Sequence, residues 1–222
     1  MLFRILGYYL NKMKISYAIT VCNELLEIQR LLPFLIENKR EQDEIVIFYD
    51  IKNGSKSVEE YLRSYSVNKV PFRWMGYHFD GHFANMKNAL TEACFGNYIF
   101  QIDADEMPNW YLLQYLPEIL ESNPDNEVYL VPRVNTVDGL TQEHIQKWRW
   151  NVNDKNWVNW PDYQWRIWKN IPEIKWINKV HERLDGFKTY ATLPTDENFS
   201  LYHSKTIERQ EKQNEFYNTL QS

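Results

Sequence analysis

Short apolar runs that alternate with helical patterns constrain this chain more than any other feature. Ile15 to Val21 is a β-branched run, and Leu25, Ile28, Leu32 and Leu35 then recur at helical spacing behind Asn23, a residue suited to an N-cap. Pro33 lies inside that pattern and is expected to kink or shorten the helix. Glu44 to Asp50 is nearly continuous apolar sequence ending in a carboxylate, the pattern of a strand buried on both faces. Ser57 and Glu60 have capping-box spacing at the head of a second helix through Tyr65. Val70 to Trp74 reads as a third strand, and 83–95 as a helix stopped by Gly96. Asn97 to Ile102 is a fourth strand that runs into Asp103-Ala104-Asp105-Glu106. A helix over Trp110 to Glu121 then leads to a strand over Glu127 to Val131.

Strands separated by helices of about 10–15 residues predict an α/β fold, a mostly parallel central sheet with helices on both faces. Ligands of such sheets bind beyond the carboxyl ends of the strands. The positions to watch are therefore Thr20 to Glu24, Asp50, His78 to Gly81 and Asp103 to Glu106. After about residue 135 the pattern dissolves, and seven of the nine tryptophans fall between Trp148 and Trp176. The change of character divides one domain into two halves, 1–134, where strand and helix patterns alternate, and 135–222. Within the second half, 135–160 is too long for an ordinary connection and predicts a functional loop or lid. Tyr163 to Trp168 and Ile174 to Val180 read as strands, and Glu208 to Leu220 as a closing helix.

With 25 Lys and Arg against 30 Asp and Glu, the net charge of −5 disfavours a nucleic-acid binder, whose partner demands a basic face. No apolar run reaches the ~20 residues that a membrane-spanning helix needs. Cys22 and Cys94 are too few for a disulfide scaffold and read as buried thiols of a reducing compartment, which predicts a cytoplasmic protein. Residues 1–14 carry apolar and basic residues without a cleavage site. They are compatible with a peripheral membrane-surface helix but not with a signal peptide, and Met13 offers an alternative start. Neither a phosphate loop, a G-x-G-x-x-G nor a G-x-S-x-G occurs.

In an extended segment residues two apart share a side, so Asp103 and Asp105 are expected to converge. At the open edge of a buried strand they would form a hard-oxygen site for Mg²⁺ or Mn²⁺ holding a substrate phosphate. The later oxygen positions and the glycine of an EF-hand are missing. Gln164 and Arg166 share a strand face, and Arg166 would meet phosphate or pair with a carboxylate.

The ordered set Thr20 to Glu24, Asp50, Gly81-His82-Phe83-Ala84 with Lys87-Asn88, and Asp103-Ala104-Asp105 resembles the GT-A glycosyltransferases of family 2. Trp160 to Trp168 followed by Val180-His181-Glu182 looks like the subgroup that builds lipopolysaccharide cores and similar surface glycans. The resemblance covers about 190 residues and implies a Rossmann-like GT-A sheet, with 1–134 as a nucleotide-sugar-binding α/β half and 135–222 as an acceptor-binding and catalytic half of the same domain. It also implies an inverting, Mn²⁺- or Mg²⁺-assisted transfer from a nucleotide-sugar donor, UDP-sugar foremost, to a glycan or glycolipid acceptor. By position, Thr20, Asn23, Glu24, Asp50, Gly81, Lys87, Asp103 and Ala104 would bind the nucleotide sugar. Asp50 would contact the base, Asp103 the ribose and Lys87 the diphosphate. Asp105 would hold the metal, with His203 or His181 as a further ligand. Asp162, or else Glu182, would be the catalytic base. Trp148, Trp150 and Trp157, with Gln164 and Arg166, would face the acceptor. Cys22 stands where the family often has an aromatic residue, and Ile51 to Ser55 lacks its second Asp. Two other readings remain at this level, a nucleotidyltransferase of similar fold and a non-catalytic carbohydrate-binding module.

Overall fold

The structure is a computed structural model that describes residues 13–66 and 72–221. The N-terminal reading up to residue 12 and the first two residues of the strand expected at Val70 lie outside them. In chain order the elements are β1 (Ile15–Val21), α1 (Leu25–Asn38), β2 (Glu44–Asp50), α2 (Lys56–Ser66), β3 (Arg73–Tyr77), α3 (Phe83–Glu92) and β4 (Tyr98–Asp103). There follow β5 (Met107–Pro108), α4 (Trp110–Ser122), β6 (Val128–Val131), β7 (Arg133–Asp138) and α5 (Gln142–Trp148). The chain closes with β8 (Gln164–Lys169), β9 (Lys175–Ile177), β10 (Arg183–Asp185), β11 (Tyr190–Thr192), β12 (Leu201–Thr206) and α6 (Ile207–Gln221).

Seven strands form the main sheet in the order β11-β6-β8-β4-β1-β2-β3. The pairs of β1 with β2 and β4, and of β2 with β3, are parallel, whereas β8 is antiparallel to both β4 and β6. A smaller sheet, β5-β12-β7, joins the chain just after β4 to the C-terminal region.

β1 shows how the sequence builds the layers. Ile15, Tyr17, Ile19 and Val21 enter a core shared with Ile28, Leu31, Leu32 and Leu35 of α1 and Leu112, Leu116 and Leu120 of α4. Ala18 faces the opposite core, built with Val46, Met86 and Leu90 and closed by Trp168 and Trp176. Each such side chain contributes about 1.5–3 kcal/mol relative to exposure. Among the described residues no helix is long and apolar enough to cross a membrane.

Several local expectations are corrected. Asn23 does not cap α1; the helix starts after Glu24, whose carboxylate turns back to accept the backbone N–H groups of Cys22 (2.7 Å) and Asn23 (3.0 Å). Pro33 neither breaks nor ends α1, which continues to Asn38. α3 stops at Glu92, and Gly96 is not its cap. Instead Gly96 lies so close to β1 that a Cβ there would meet Ser16 N and Oγ at 2.6 Å. The region 135–160 is more ordered than a bare loop. It contains most of β7, the short helix α5 and β-bridges from Val158 to Asn135 and Val152.

Candidate active site

The carboxyl ends of β1, β2 and β4 open into a cavity of about 850 Å³. Because β8 runs antiparallel to β4, its first residues lie beside the end of β4, which brings Gln164 and Arg166 to the same edge as Asp103. β12 closes the cavity from the smaller sheet, and α6 follows it as a lateral wall.

The two aspartates of the acidic motif both line this cavity, but not by strand alternation. β4 ends at Asp103, and a turn closed by Glu106 N to Asp103 O (2.8 Å) carries Asp105 onward. They consequently have different partners. Asp103 accepts from Arg166 (2.7 Å) and from the Thr20 hydroxyl (3.2 Å), with Lys87 Nζ at 3.6 Å. Beneath it lies Glu106, whose side chain is completely buried and takes a two-pronged contact from Arg166 (2.9 and 2.7 Å) and a third from Arg133 (2.9 Å). Burial alone would raise the Asp103 carboxyl, but Arg166 and Lys87 outweigh it and hold the group well below the usual carboxylate range.

A group depressed in the folded state stabilises the fold fully above its unfolded value of about 3.9 and loses that contribution as pH falls through the folded value. Asp103→Asn is therefore expected to flatten the decline of melting temperature below about pH 4. Unchanged acid sensitivity in a pH series of thermal melts would remove Asp103 from the account.

Asp105 leads into a second chain of contacts. Its carboxylate lies 3.2 Å from His203 Nε2 and 3.4 Å from the Arg209 guanidinium, which also contacts Glu24 and Glu27. His203 Nδ1 lies 2.8 Å from Asn135 Oδ1, and Asn135 donates its amide to Asp162 at 2.8 Å. Asn135 and His203 are cross-strand partners of β7 and β12, so the sheet register fixes this meeting. Asp162 also accepts from Arg133 (2.6 Å) and from Gln164 (2.8 Å). Burial pushes its carboxyl up, but Arg133 and the Asn135 amide prevail and leave it below the ordinary carboxylate range.

An ionised Asp162 only accepts, so Asn135 must turn its N–H₂ toward it and its oxygen toward His203. Nδ1 of His203 then carries the proton. Burial holds this imidazole below its ordinary value against the opposing pull of the Asp105 carboxylate, which lies 3.2 Å from Nε2.

Among the described residues no cluster of three or more His, Cys, Asp or Glu side chains is placed to hold a metal ion. The Asp105–His203 pair nevertheless fits a divalent ion that takes its other ligands from phosphate oxygens and water, and the Asn135 contact at Nδ1 orients the His203 ring.

The other sequence-nominated residues divide between the cavity and its surroundings. Thr20, Asn23, Glu24, Ala104, Trp150, His181 and Glu182 line it; Gly81 and Trp148 do not, and Trp157 faces a separate hollow. Asp50 also lines it, but its carboxylate accepts Lys52 N (2.9 Å), Asn53 N (3.2 Å) and Asn53 Nδ2 (2.8 Å). That turn is tight, because a Cβ on Gly54 would approach Asp50 O to 2.3 Å. The Lys87 ammonium is held by Glu182, stands 3.6 Å from Asp103 and lies over the Trp176 ring. Sequence reasoning assigned no role to Glu106, Arg133, Asn135, Lys205 or Arg209. The buried acid of the motif was a signal for the first; the others depend on long-range contacts.

This arrangement brings basic and acidic side chains and the ionised carboxylate of Asp162 into one cavity at the carboxyl edge of the sheet. The model of the family described as "Glycosyl transferase family 2" matches residues 16–193. The chain belongs to glycosyl transferase family 2. No curated protein matches it.

Among solved structures, S. aureus TarS 1-349 in complex with UDP-GlcNAc has a TM-score of 0.60 at 16% identity, covering 87% of this chain and 59% of that one. The same segment in complex with UDP scores 0.59 at 15% identity, with 86% and 60% covered. This family 2 chain thus spans about three fifths of the length of those TarS chains. At such identity the likeness is one of fold, a GT-A-like central sheet flanked by helices.

Proposed function

We propose that this family 2 protein transfers a sugar, with inversion, from a nucleotide diphosphate donor to a hydroxyl of a glycan or glycolipid. UDP-sugar is the expected donor class, and the subgroup resemblance favours a lipopolysaccharide-type or other surface-glycan acceptor. The observation that carries this reading is the convergence of Asp103, Asp105 and Asp162 on one cavity at the carboxyl edge of the sheet.

In the proposed reaction the acceptor oxygen attacks the anomeric carbon, the bond from that carbon to the diphosphate breaks, and nucleoside diphosphate leaves. Asp162 takes the hydroxyl proton. Its Oδ2 is engaged by Arg133 and Asn135, whereas Oδ1 meets Gln164 and retains accepting capacity. Asp105 and His203 would hold Mn²⁺ or Mg²⁺, whose positive charge offsets that of the leaving diphosphate. Arg209 and Lys205 line the same wall and add cationic charge there. Asp103, already neutralised by Arg166, is left to orient rather than to bind an ion.

The direct experiment measures UDP binding and UDP-sugar turnover with and without Mn²⁺ in wild type and Asp105→Ala. The expected outcome is Mn²⁺-enhanced UDP affinity in wild type only, with nucleoside diphosphate as product. Equal Mn²⁺ response in the variant would refute the metal role. Pyrophosphate release from a nucleoside triphosphate would replace sugar transfer with nucleotidyl transfer.

A further inference from the structure

The segment between α5 and β8 has two working sides. Val158, Asn159 and Asp162 border the catalytic cavity. Asn153, Asp154, Trp157 and Trp160 turn to another hollow, of about 510 Å³, closed on its far side by residues 195–198. The volume lies within the ~300–1,000 Å³ range of small-molecule sites.

Its chemistry is selective. The Trp157 and Trp160 rings meet edge to face with centroids 4.9 Å apart, and both remain partly exposed. The Lys155 ammonium lies over one face of the Trp157 ring, 4.4 Å from its centroid, and 3.1 Å from Glu197, tying the two walls of the hollow together. Lys155 is the sole cation of the lining, against the carboxylates of Asp154, Asp196 and Glu197. An anionic occupant is repelled, while a neutral ligand rich in hydroxyl donors finds acceptors. Among the described residues neither the Asp154 carboxylate nor the Asn198 side-chain amide is committed to a hydrogen bond or ion pair. Flat apolar faces ringed by polar acceptors suit the C–H face and rim of a sugar ring.

We infer that this hollow is a saccharide subsite, one that holds a neutral sugar unit of the acceptor away from the unit being extended. The identification of the ligand with the acceptor rests on the sugar-transfer reading; the binding of a neutral saccharide does not. The loop that carries the candidate base thus also grips the distal part of the acceptor, and the acceptor class is an oligosaccharide chain rather than a single sugar.

The test is retention of the labelled, full-length protein on an array of neutral and acidic glycans, alongside calorimetric titration with UDP and Mn²⁺. Wild type is expected to retain neutral oligosaccharides. Trp157→Ala should weaken that retention about tenfold or more, as truncation of an aromatic anchor ordinarily does. Trp157→Phe should recover part of it. Asp154→Ala, an exposed change that leaves packing intact, should also weaken it, and none of the three should alter UDP affinity.

The inference is overturned if no neutral glycan is retained, if only acidic glycans are, or if Trp157→Ala and Asp154→Ala both bind as wild type does. The two readings fail separately. UDP binding without glycan retention removes the subsite alone, whereas glycan retention without UDP binding removes the donor chemistry and leaves a carbohydrate-binding surface.

Discussion

Replacing Asp162 by Asn lowers the turnover number for sugar transfer by about 10²–10⁴-fold, the range ordinarily carried by a positioned general base. UDP affinity stays near wild type, because Asp162 is engaged by Arg133, Asn135 and Gln164 and by none of the residues assigned to the donor. The substitution preserves the size of the side chain, and Arg133 keeps its contact with Glu106. Glu182→Gln is the control. Glu182 is held by Lys87, whose ammonium also faces Asp103, so its loss is expected to weaken donor binding more than it slows the chemical step. Steady-state kinetics on both variants decides the assignment. A Glu182→Gln enzyme with collapsed turnover beside a nearly normal Asp162→Asn enzyme would move the base to Glu182. Because Arg133 and Asn135 keep Asp162 ionised, the acid limb of the rate profile should lie below the ordinary aspartate value of about 3.9 unless another group intervenes.

Arg166→Ala produces the largest stability loss expected in this protein. One guanidinium binds both oxygens of Glu106, which has no exposure, and reaches Asp103 at 2.7 Å. Removing it leaves a buried carboxylate held by the Arg133 guanidinium and the Asp103 backbone N–H, and takes the nearest counter-charge from Asp103. Breaking such a buried pair costs about 3–5 kcal/mol, mainly from the uncompensated charge that remains. In a chain of this size that corresponds to a melting temperature lower by roughly 10 °C. Arg166→Lys should recover little, since a point charge cannot reproduce the two-pronged contact. A urea-unfolding difference below about 1 kcal/mol would show that the network is not structurally required.

The central layers were legible because their residues obey simple periods. β1, β2 and β4 are apolar runs that hardly any other element could accommodate, and α1 and α4 carry leucines at helical spacing. The partly polar Arg133 to Asp138 concealed β7, because that strand pairs with β12 only through contacts some 68 residues apart in sequence. Asn135 was invisible for the same reason: its significance comes from lying opposite His203 in register. Asp103 and Asp105 were readily picked out, but the turn after β4 and the different cations that claim each carboxylate were not. The tryptophan cluster signalled a change of character without distinguishing Trp150, at the cavity, from Trp157, in the neighbouring hollow, or Trp168, in the core.

The insertion of β8 between β4 and β6 has a consequence for biogenesis. Until residue 169 has emerged from the ribosome, the inner edge of β4 lacks a neighbour and exposes unpaired backbone groups, a template for intermolecular strand pairing. Fragments severed at residue 134 would inherit that open seam permanently, so co-expression of the two pieces should rescue solubility that neither attains alone.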